Sequence, residues 1–275
     1  MASGGNALRT AIRSSFDTLA LSHPADEVLQ VTLNRPQAAN AMNTPMMRDL
    51  LALFGELAGT PDAARCIVLT GAGDRAFCAG ADLKERDGMD DRQWQAQHLI
   101  VERMIRAVID CPIPIIAAVN GAAYAGGCEL ALGCDFIYAS TGARFALTEV
   151  TLGIMPGAGG TQSLPRAVGE RRAKEIILTG RPFSAGEAQE WGMVNRLVAP
   201  EALLPEAIAT AKAVAANAPI SIKQVKKAIH HGLQMSLAGG MMLEIEAYNR
   251  TVPTEDRREG IKSFNEKRKP AFKGR

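Results

Sequence analysis

Residues 119–135 constrain the fold of this chain more strongly than any other segment. An apolar strand at residues 114–119 runs into a glycine-rich turn, which opens a short apolar helix with one acid, Glu129. The first N–H groups of a helix have no partner inside it and carry the positive end of its dipole. Because Gly126 would let another molecule approach these groups, the segment predicts a site for an oxygen atom beside a proton acceptor. A buried helix whose glycines only allow tight packing is the alternative.

Length and composition bound the class of protein. A chain of 275 residues is long enough for one large domain with a well-buried core. Hydrophobic residues make up 47% and charged residues 22% of the chain, which is ordinary for a soluble globular protein. The formal charge of +2 gives no argument for nucleic acid or an anionic membrane as partner. The sequence contains no apolar run long enough to span a bilayer.

The cysteines and the N-terminal segment bear on the compartment. The five cysteines are scattered and lie mostly in apolar segments, without the CxxC or Cys/His spacing of a zinc site. We therefore expect reduced, buried thiols, no metal centre and a reducing compartment. Residues 1–15 contain Arg9 and Arg13 but no acid, which faintly resembles an organelle-targeting segment. A flexible N-terminal extension is the simpler interpretation, so the predicted location is the cytoplasm, with the mitochondrial matrix as the alternative.

Strands and helices alternate along most of the chain. Strands are predicted at residues 28–33, 66–70, 114–119 and 135–139 from their β-branched, apolar composition. Helices are predicted at residues 46–57, 89–110 and 162–168. Ser184 and Glu187 have the spacing of a capping box, and four further helices follow, at residues 201–217, 219–231, 235–250 and 254–266. This order predicts an α/β domain at residues 16–200 and a helical region at residues 201–275.

Two acids are candidates for chemistry. Glu129 and Glu149 are each embedded in small and apolar residues, where burial raises the pKa of a carboxyl group. Two carboxylates that face one space can hold different protonation states, so that one serves as acid and the other as base. The spacing alone does not bring them together, and a structural ion pair or a surface position for Glu149 is the alternative. None of the four histidines accompanies a serine or cysteine in a nucleophile motif, which argues against a triad.

Four segments, taken in their order along the chain, are much more specific than any one of them. They are LNRP at residues 33–36, FCAGADLKE at 77–85, GGCELA at 126–131 and PGAGGTQ at 156–162. Together they resemble the crotonase, or enoyl-CoA hydratase/isomerase, superfamily, over the chain from residue 16 to the C-terminus. The resemblance implies a spiral of ββα units with an α-helical C-terminal region that forms trimers, and hexamers built as dimers of trimers. It also implies an acyl-CoA thioester as the ligand.

The resemblance assigns roles to the residues of the active site. It implies that the N–H groups of Ala81 and Gly126 form an oxyanion hole for the thioester carbonyl, where one such donor is typically worth about 3–4 kcal/mol of barrier. It also implies that Glu129 and Glu149 hold one water molecule between them. Glu129 would take a proton from this water as its oxygen attacks the β carbon, and Glu149 would deliver a proton to the α carbon.

The resemblance also suggests how coenzyme A is held as part of the substrate, with no separate cofactor. Backbone near the adenine is expected at Ala79, Ala81 and Leu83, and phosphate contacts at Lys84 and at Lys267 of a neighbouring subunit. The sequence departs from the family at Gln37, where a phosphate-binding lysine is common. Asp82 and Tyr124 complete the candidate substrate-binding residues, and the phenol of Tyr124 would restrict the acyl chain or bind a polar acyl group.

Both acids are present, which favours hydration of a 2-enoyl-CoA thioester. The runs at residues 82–86 and 251–257 look like those of methylglutaconyl-CoA hydratases, so a branched or acidic acyl group is an alternative. Isomerisation of a 3-enoyl-CoA is an alternative reaction. A member of the methylglutaconyl-CoA hydratase subfamily binds RNA through a lysine-rich helix. The corresponding helix here, residues 44–57, contains only one basic residue, Arg48. Since phosphate contacts dominate affinity for nucleic acid, we expect neither an RNA partner nor a membrane partner.

Overall fold

Two β-sheets built from alternating strands organise the computed structural model, which describes residues 12–275. The strands are β1 (Leu19–Ala25), β2 (Val28–Leu33), β3 (Cys66–Gly71), β4 (Ala76–Cys78), β5 (Ile115–Val119), β6 (Ala122–Tyr124), β7 (Phe136–Ser140), β8 (Arg144–Ala146), β9 (Phe183–Ser184) and β10 (Arg196–Val198). The first sheet has the order β1-β2-β3-β5-β7-β10 and is parallel except for β1. The second has the order β4-β6-β8-β9 and is parallel except for β9.

Helices follow the strand pairs and then form the C-terminal part. They are α1 (Thr44–Gly59), α2 (Leu83–Arg86), α3 (Asp91–Ile109), α4 (Gly126–Leu132), α5 (Gly160–Val168), α6 (Glu170–Thr179), α7 (Ala185–Glu190), α8 (Leu203–Ala215), α9 (Pro219–Gly232), α10 (Leu237–Thr251) and α11 (Glu255–Asn265). Short 3-10 helices lie at Pro36–Ala38, Glu149–Leu152 and Pro200–Ala202. The succession β3-β4, β5-β6 and β7-β8, each pair followed by helix, gives the repeated ββα unit, so the predicted α/β crotonase-like spiral is confirmed.

The core explains why the central strands are continuously apolar. Every residue of β3 and β5 is buried, as expected for parallel strands covered on both faces. Side chains such as Leu69 and Ala117 pack towards α1 and the rest of the main core. The alternate side chains, among them Val68 and Ile116, pack against Ala207 and Ala211 of α8. The sheet is therefore held between layers of helix, and it fixes the strand ends from which the site is built.

Most predicted elements lie within two or three residues of their positions in the structure. The capping box at Ser184 and Glu187 is present, with the Ser184 hydroxyl accepting from the Glu187 amide at 3.2 Å. The predicted glycine-rich turn after β5 was wrong in one respect, because it contains a strand, β6, that pairs with β4 and β8. Strand β1 and helix α6 had no counterpart in the prediction.

The remaining structural predictions concern the ends of the chain and the cysteines. Residues 1–11 of the predicted extension lie outside the described residues. The predicted boundary after residue 200 precedes α8, which packs on the first sheet, and the division into a core and a helical region stays a prediction. All five cysteines are free, four of them buried. Among the described residues, no helix has the length and apolar character needed to cross a membrane.

Candidate active site

A cavity of about 900 Å³ brings the carboxyl end of the second sheet together with α3 and the loop before α5. Its walls are largely apolar, and they include four residues that the sequence analysis assigned to chemistry: Ala81, Gly126, Glu129 and Glu149. The alternative that placed Glu149 away from Glu129 is therefore wrong, because both glutamates line one space. The roles of these four residues stay predictions.

Two backbone amides face each other at one end of this site. A bridge joins Met42 to the segment around Ala81, with the Met42 amide donating to Gly80 O at 2.7 Å and the Asp82 amide donating to Met42 O at 3.0 Å. Neither bond uses the Ala81 N–H. Gly126 is the first residue of α4, so its N–H has no acceptor within the helix. A methyl group built on Gly126 would lie 3.9 Å from Ala81 N, which shows that the two amides are neighbours.

The backbone around the amides explains the glycine at position 80. Gly80 has φ +93°, and a methyl group there would lie 2.9 Å from the Ala125 Cβ and 3.3 Å from Gly126 N. Ala125 itself, immediately before α4, has φ +48°. A non-glycine residue with positive φ is uncommon and is often found at functional sites. Strain at this position therefore accompanies the turn that points the Gly126 amide into the cavity.

Glu129 lies one turn into α4 and is held from the opposite wall. Its side chain is 3% exposed. The Oε1 atom accepts hydrogen bonds from the Ala158 and Gly160 amides, both at 2.8 Å. Burial raises the pKa of Glu129, and the two amide bonds counteract part of this rise because they favour the ionised form. The loop before α5 thus fixes one oxygen and stabilises the carboxylate.

Glu149 begins a 3-10 turn after β8 and has a different environment. It is 6% exposed, and within residues 12–275 its buried Oε2 atom has no hydrogen-bond partner. Burial, with a smaller contribution from the charge of Glu129, raises the pKa of Glu149 from 4.5 to about 7. The two carboxyl groups therefore differ in environment: two amide bonds favour the ionised form of Glu129, whereas Glu149, with a pKa of about 7, is about half protonated at neutral pH.

Comparisons with known proteins agree with this geometry. The family model described as enoyl-CoA hydratase/isomerase matches residues 24–275. A short-chain-enoyl-CoA hydratase of Clostridium acetobutylicum is 39% identical over 250 residues, covering 90% of this chain and 95% of the relative. An (E)-benzylidenesuccinyl-CoA hydratase of Thauera aromatica is 40% identical over 250 residues, which cover 91% of this chain and 97% of the relative. The crystal structure of an enoyl-CoA hydratase from Bacillus anthracis, 42% identical, has a TM-score of 0.92 and covers 94% of this chain and 100% of that one.

The chain belongs to the enoyl-CoA hydratase/isomerase family. It is therefore an enzyme, and the family predicted from the four sequence segments is confirmed. The matched region, residues 24–275, includes every strand after β1, both glutamates and the C-terminal helices.

The residues predicted to bind coenzyme A are divided between the cavity and its surroundings. Ala79, Ala81 and Leu83 line the cavity. Asp82 does not; its carboxylate pairs with the Arg35 guanidinium at 3.0 Å and accepts from the Lys84 amide at the start of α2. Its direct contact with substrate stays a prediction, but the structure gives it the role of fixing the loop that carries Ala81.

The other predicted contacts lie outside this cavity. Tyr124 is a half-buried residue of β6, and Lys84 is exposed on α2. Lys267 is exposed just after α11, with φ +54°. Each of the three is absent from the lining of the cavity formed by this chain alone. Their proposed contacts with the acyl group or the phosphates stay predictions.

One wall of the cavity consists of residues that were not predicted from the sequence. Trp94, His98 and Glu102 follow each other at i, i+4 and i+8 on α3, so that one face of this helix lines the cavity. Arg86 joins them, with its guanidinium 4.4 Å from the Trp94 ring and its Nε donating to Gln97 Oε1 at 2.7 Å. The spacing of the three α3 residues was visible in the sequence, but the buried face of the same helix gave the stronger periodic signal.

Proposed function

We propose that this enzyme adds water across the 2,3 double bond of a 2-enoyl-CoA thioester to give the 3-hydroxyacyl-CoA. The observation that carries the proposal is the pair of buried glutamates, in different environments, that line one cavity together with Ala81 and Gly126. An enzyme that only isomerises a double bond needs no activated water and can act with a single acid. A second buried carboxyl group, with one oxygen that has no hydrogen-bond partner among residues 12–275, supports hydration.

The amides of Ala81 and Gly126 would bind the thioester carbonyl oxygen. As water attacks the β carbon, negative charge moves onto this oxygen and an enolate forms. Fixed N–H donors stabilise that charge without reorganising, and loss of one donor typically costs about 3–4 kcal/mol of barrier. The dipole at the start of α4 acts in the same direction, because its positive end lies at Gly126.

Glu129 and Glu149 would divide the proton transfers between them. Glu129, ionised and held by the Ala158 and Gly160 amides, takes a proton from water as the oxygen bonds to the β carbon. Glu149, protonated, gives its proton to the α carbon of the enolate. The product then holds the hydroxyl from water and a new C–H bond made with the proton of Glu149, while Glu129 has gained the other proton of the water; the net result is one proton more on Glu129 and one fewer on Glu149. Return of that proton through the next water restores the starting state.

The test is to replace each acid separately by glutamine. Steady-state hydration of crotonyl-CoA, followed by loss of the enoyl absorbance, should fall by about 10²–10⁴-fold in kcat for Glu129→Gln and for Glu149→Gln. The dissociation constant for coenzyme A, measured by calorimetry, should stay within about twofold, since neither residue is proposed to bind the nucleotide. Undiminished hydration by either variant would remove that residue from the mechanism.

A branched or acidic acyl group, as in 3-methylglutaconyl-CoA, is the second candidate substrate, and Arg86 favours it. Within the described residues only the Nε of its guanidinium has a hydrogen-bond partner, although the side chain is half-buried in the cavity wall. An acyl carboxylate would satisfy the remaining donors. Comparing kcat/KM for crotonyl-CoA and 3-methylglutaconyl-CoA, with wild type and Arg86→Gln, decides between the two. A preference for the acidic thioester that Arg86→Gln abolishes supports the second; equal losses on both substrates oppose it.

Self-association as a trimer, or as a dimer of trimers, is also part of the proposal. Large apolar side chains are exposed on α9, on α10 and in the turn between them, including Ile229, Leu233, Leu237, Met242 and Tyr248. Exposed large apolar side chains that form a patch mark protein interfaces. Light scattering coupled to gel filtration should give a mass near three or six chains, and a monomer would contradict the proposal. A reducing location, the cytoplasm or the mitochondrial matrix, is supported by the five free thiols.

A further inference from the structure

The imidazole of His98 lies directly against the backbone of Gly157. A methyl group built on Gly157 would lie 2.5 Å from His98 Cε1 and 3.2 Å from Nε2, and the nearest atoms it would meet all belong to this ring. His98 is half-buried and lines the cavity from α3, whereas Gly157 lies in the loop before α5. A side chain at position 157 would therefore require the His98 ring or the loop to shift.

The loop that meets His98 is the loop that holds Glu129. The Ala158 amide, immediately after Gly157, donates to Glu129 Oε1 at 2.8 Å, and the Gly160 amide donates to the same atom. Gly160 begins α5, so the segment between the two contacts is only a few residues long. A displacement of Gly157 would therefore move the donors that fix the carboxylate.

Packing against the loop is the interaction that the structure gives His98. Within residues 12–275 neither ring nitrogen has a hydrogen-bond partner. The ionisable side chains that share the cavity with it are Arg86, Glu102, Glu129 and Glu149, of which Glu102 follows one turn later on α3 and pairs with Arg106. A ring that stands between a helix and a short loop, and that makes no hydrogen bond to the described residues, acts through its shape.

We propose that His98 is a positioning residue, which holds the loop at Gly157 so that the Ala158 and Gly160 amides stay aimed at Glu129. This inference rests on the proposed function, because it assigns His98 to the orientation of the base in that reaction. The base takes a proton from a water molecule, and misplacement of a reacting group by about 1 Å can cost on the order of 10²-fold in rate.

The test is a double-mutant cycle between positions 98 and 157. His98→Ala leaves a space beside the loop, and Gly157→Ala introduces a methyl group that meets the ring; each should lower kcat for crotonyl-CoA by about 10-fold or more, with KM changed less than about threefold. In the double variant the methyl group introduced at position 157 occupies space that the ring has left, so kcat should recover to above that of either single variant. Arg103→Ala, an exposed change on the same helix, serves as the control with unchanged kcat.

Two further readouts separate positioning from a general loss of structure. His98→Phe keeps a ring at the contact and should recover most of the rate lost in His98→Ala. The acid limb of the kcat/KM profile should move to higher pH in His98→Ala, because weaker amide bonds to Glu129 favour its protonated form. Strictly additive single effects, a phenylalanine variant as slow as the alanine variant, or an unshifted acid limb would each overturn the inference. If wild type hydrates crotonyl-CoA and Glu129→Gln does not, such a failure leaves the proposed function standing.

Discussion

Replacing Glu149 by glutamine should stabilise the folded protein at alkaline pH while it removes hydration activity. Burial raises the pKa of this carboxyl group from 4.5 to about 7, so the folded chain binds a proton that the unfolded chain has released. Stability contributed by that proton is present near pH 4.5 and is lost as pH rises to about 7 and above. At about pH 8 the folded protein carries a partly desolvated charge, and with solvent screening taken into account this charge costs on the order of 1–3 kcal/mol. Glutamine fills the same space without ionising.

The measurement is urea unfolding followed by circular dichroism, at one fixed protein concentration, near pH 5 and near pH 8. The free energy of unfolding of Glu149→Gln should exceed that of wild type by on the order of 1–3 kcal/mol at the higher pH and by much less at the lower pH. Glu175→Gln is the matched control, since Glu175 is exposed on α6. A Glu149→Gln variant no more stable than wild type near pH 8, or equally stabilised at both pH values, would refute the assigned environment of Glu149.

Two further predictions concern the acid–base pair. The pH dependence of kcat/KM should be bell-shaped, falling above an apparent pKa near 7 as Glu149 loses its proton and falling at acid pH as Glu129 gains one; a profile flat to about pH 9 would contradict the role of Glu149 as acid. Gly160→Ala should lower kcat by about 10²-fold with little change in coenzyme A affinity, because the new methyl group would lie 2.9 Å from Glu129 Oε1. Gly186→Ala, whose nearest atom would be the Ser184 hydroxyl at 3.9 Å, is the control, and an unimpaired Gly160→Ala enzyme would show that this contact does not position the base.

Local sequence signals predicted the long elements well and the short ones poorly. The helix at Asp91–Ile109 has an apolar face and a capping box between Asp90 and Gln93, and both can be read from the sequence. Strands β4, β6 and β8 have three residues each and consist largely of small or isolated apolar residues. Their identity depends on pairing with strands far away in the chain, which periodicity within a segment cannot reveal.

The sequence predicts the parts of the candidate site that lie within one short segment, but not the contacts between distant segments. Gly126 and Glu129 stand within one turn of the same helix, so their proximity follows from helix geometry alone. The proximity of Glu129 to Glu149 required the resemblance to a family, since it depends on where β8 ends. The contact of His98 with Gly157 had no signal in the sequence, because the reason for that glycine lies on a distant helix. Asp82 shows the opposite problem: its acidic side chain was predicted to bind substrate, but in the structure it pairs with Arg35.

If Glu129 and Glu149 act on one water molecule, their substitutions should not have independent effects on hydration. Hydration of crotonyl-CoA by Glu129→Gln, Glu149→Gln and the double variant should be compared at the same pH and enzyme concentration. Residues that act as a unit lose their joint contribution when either one is removed, so the double variant should be about as slow as the slower single variant. A double variant whose loss equals the product of the two single losses would show that the acids act independently, and it would contradict the account.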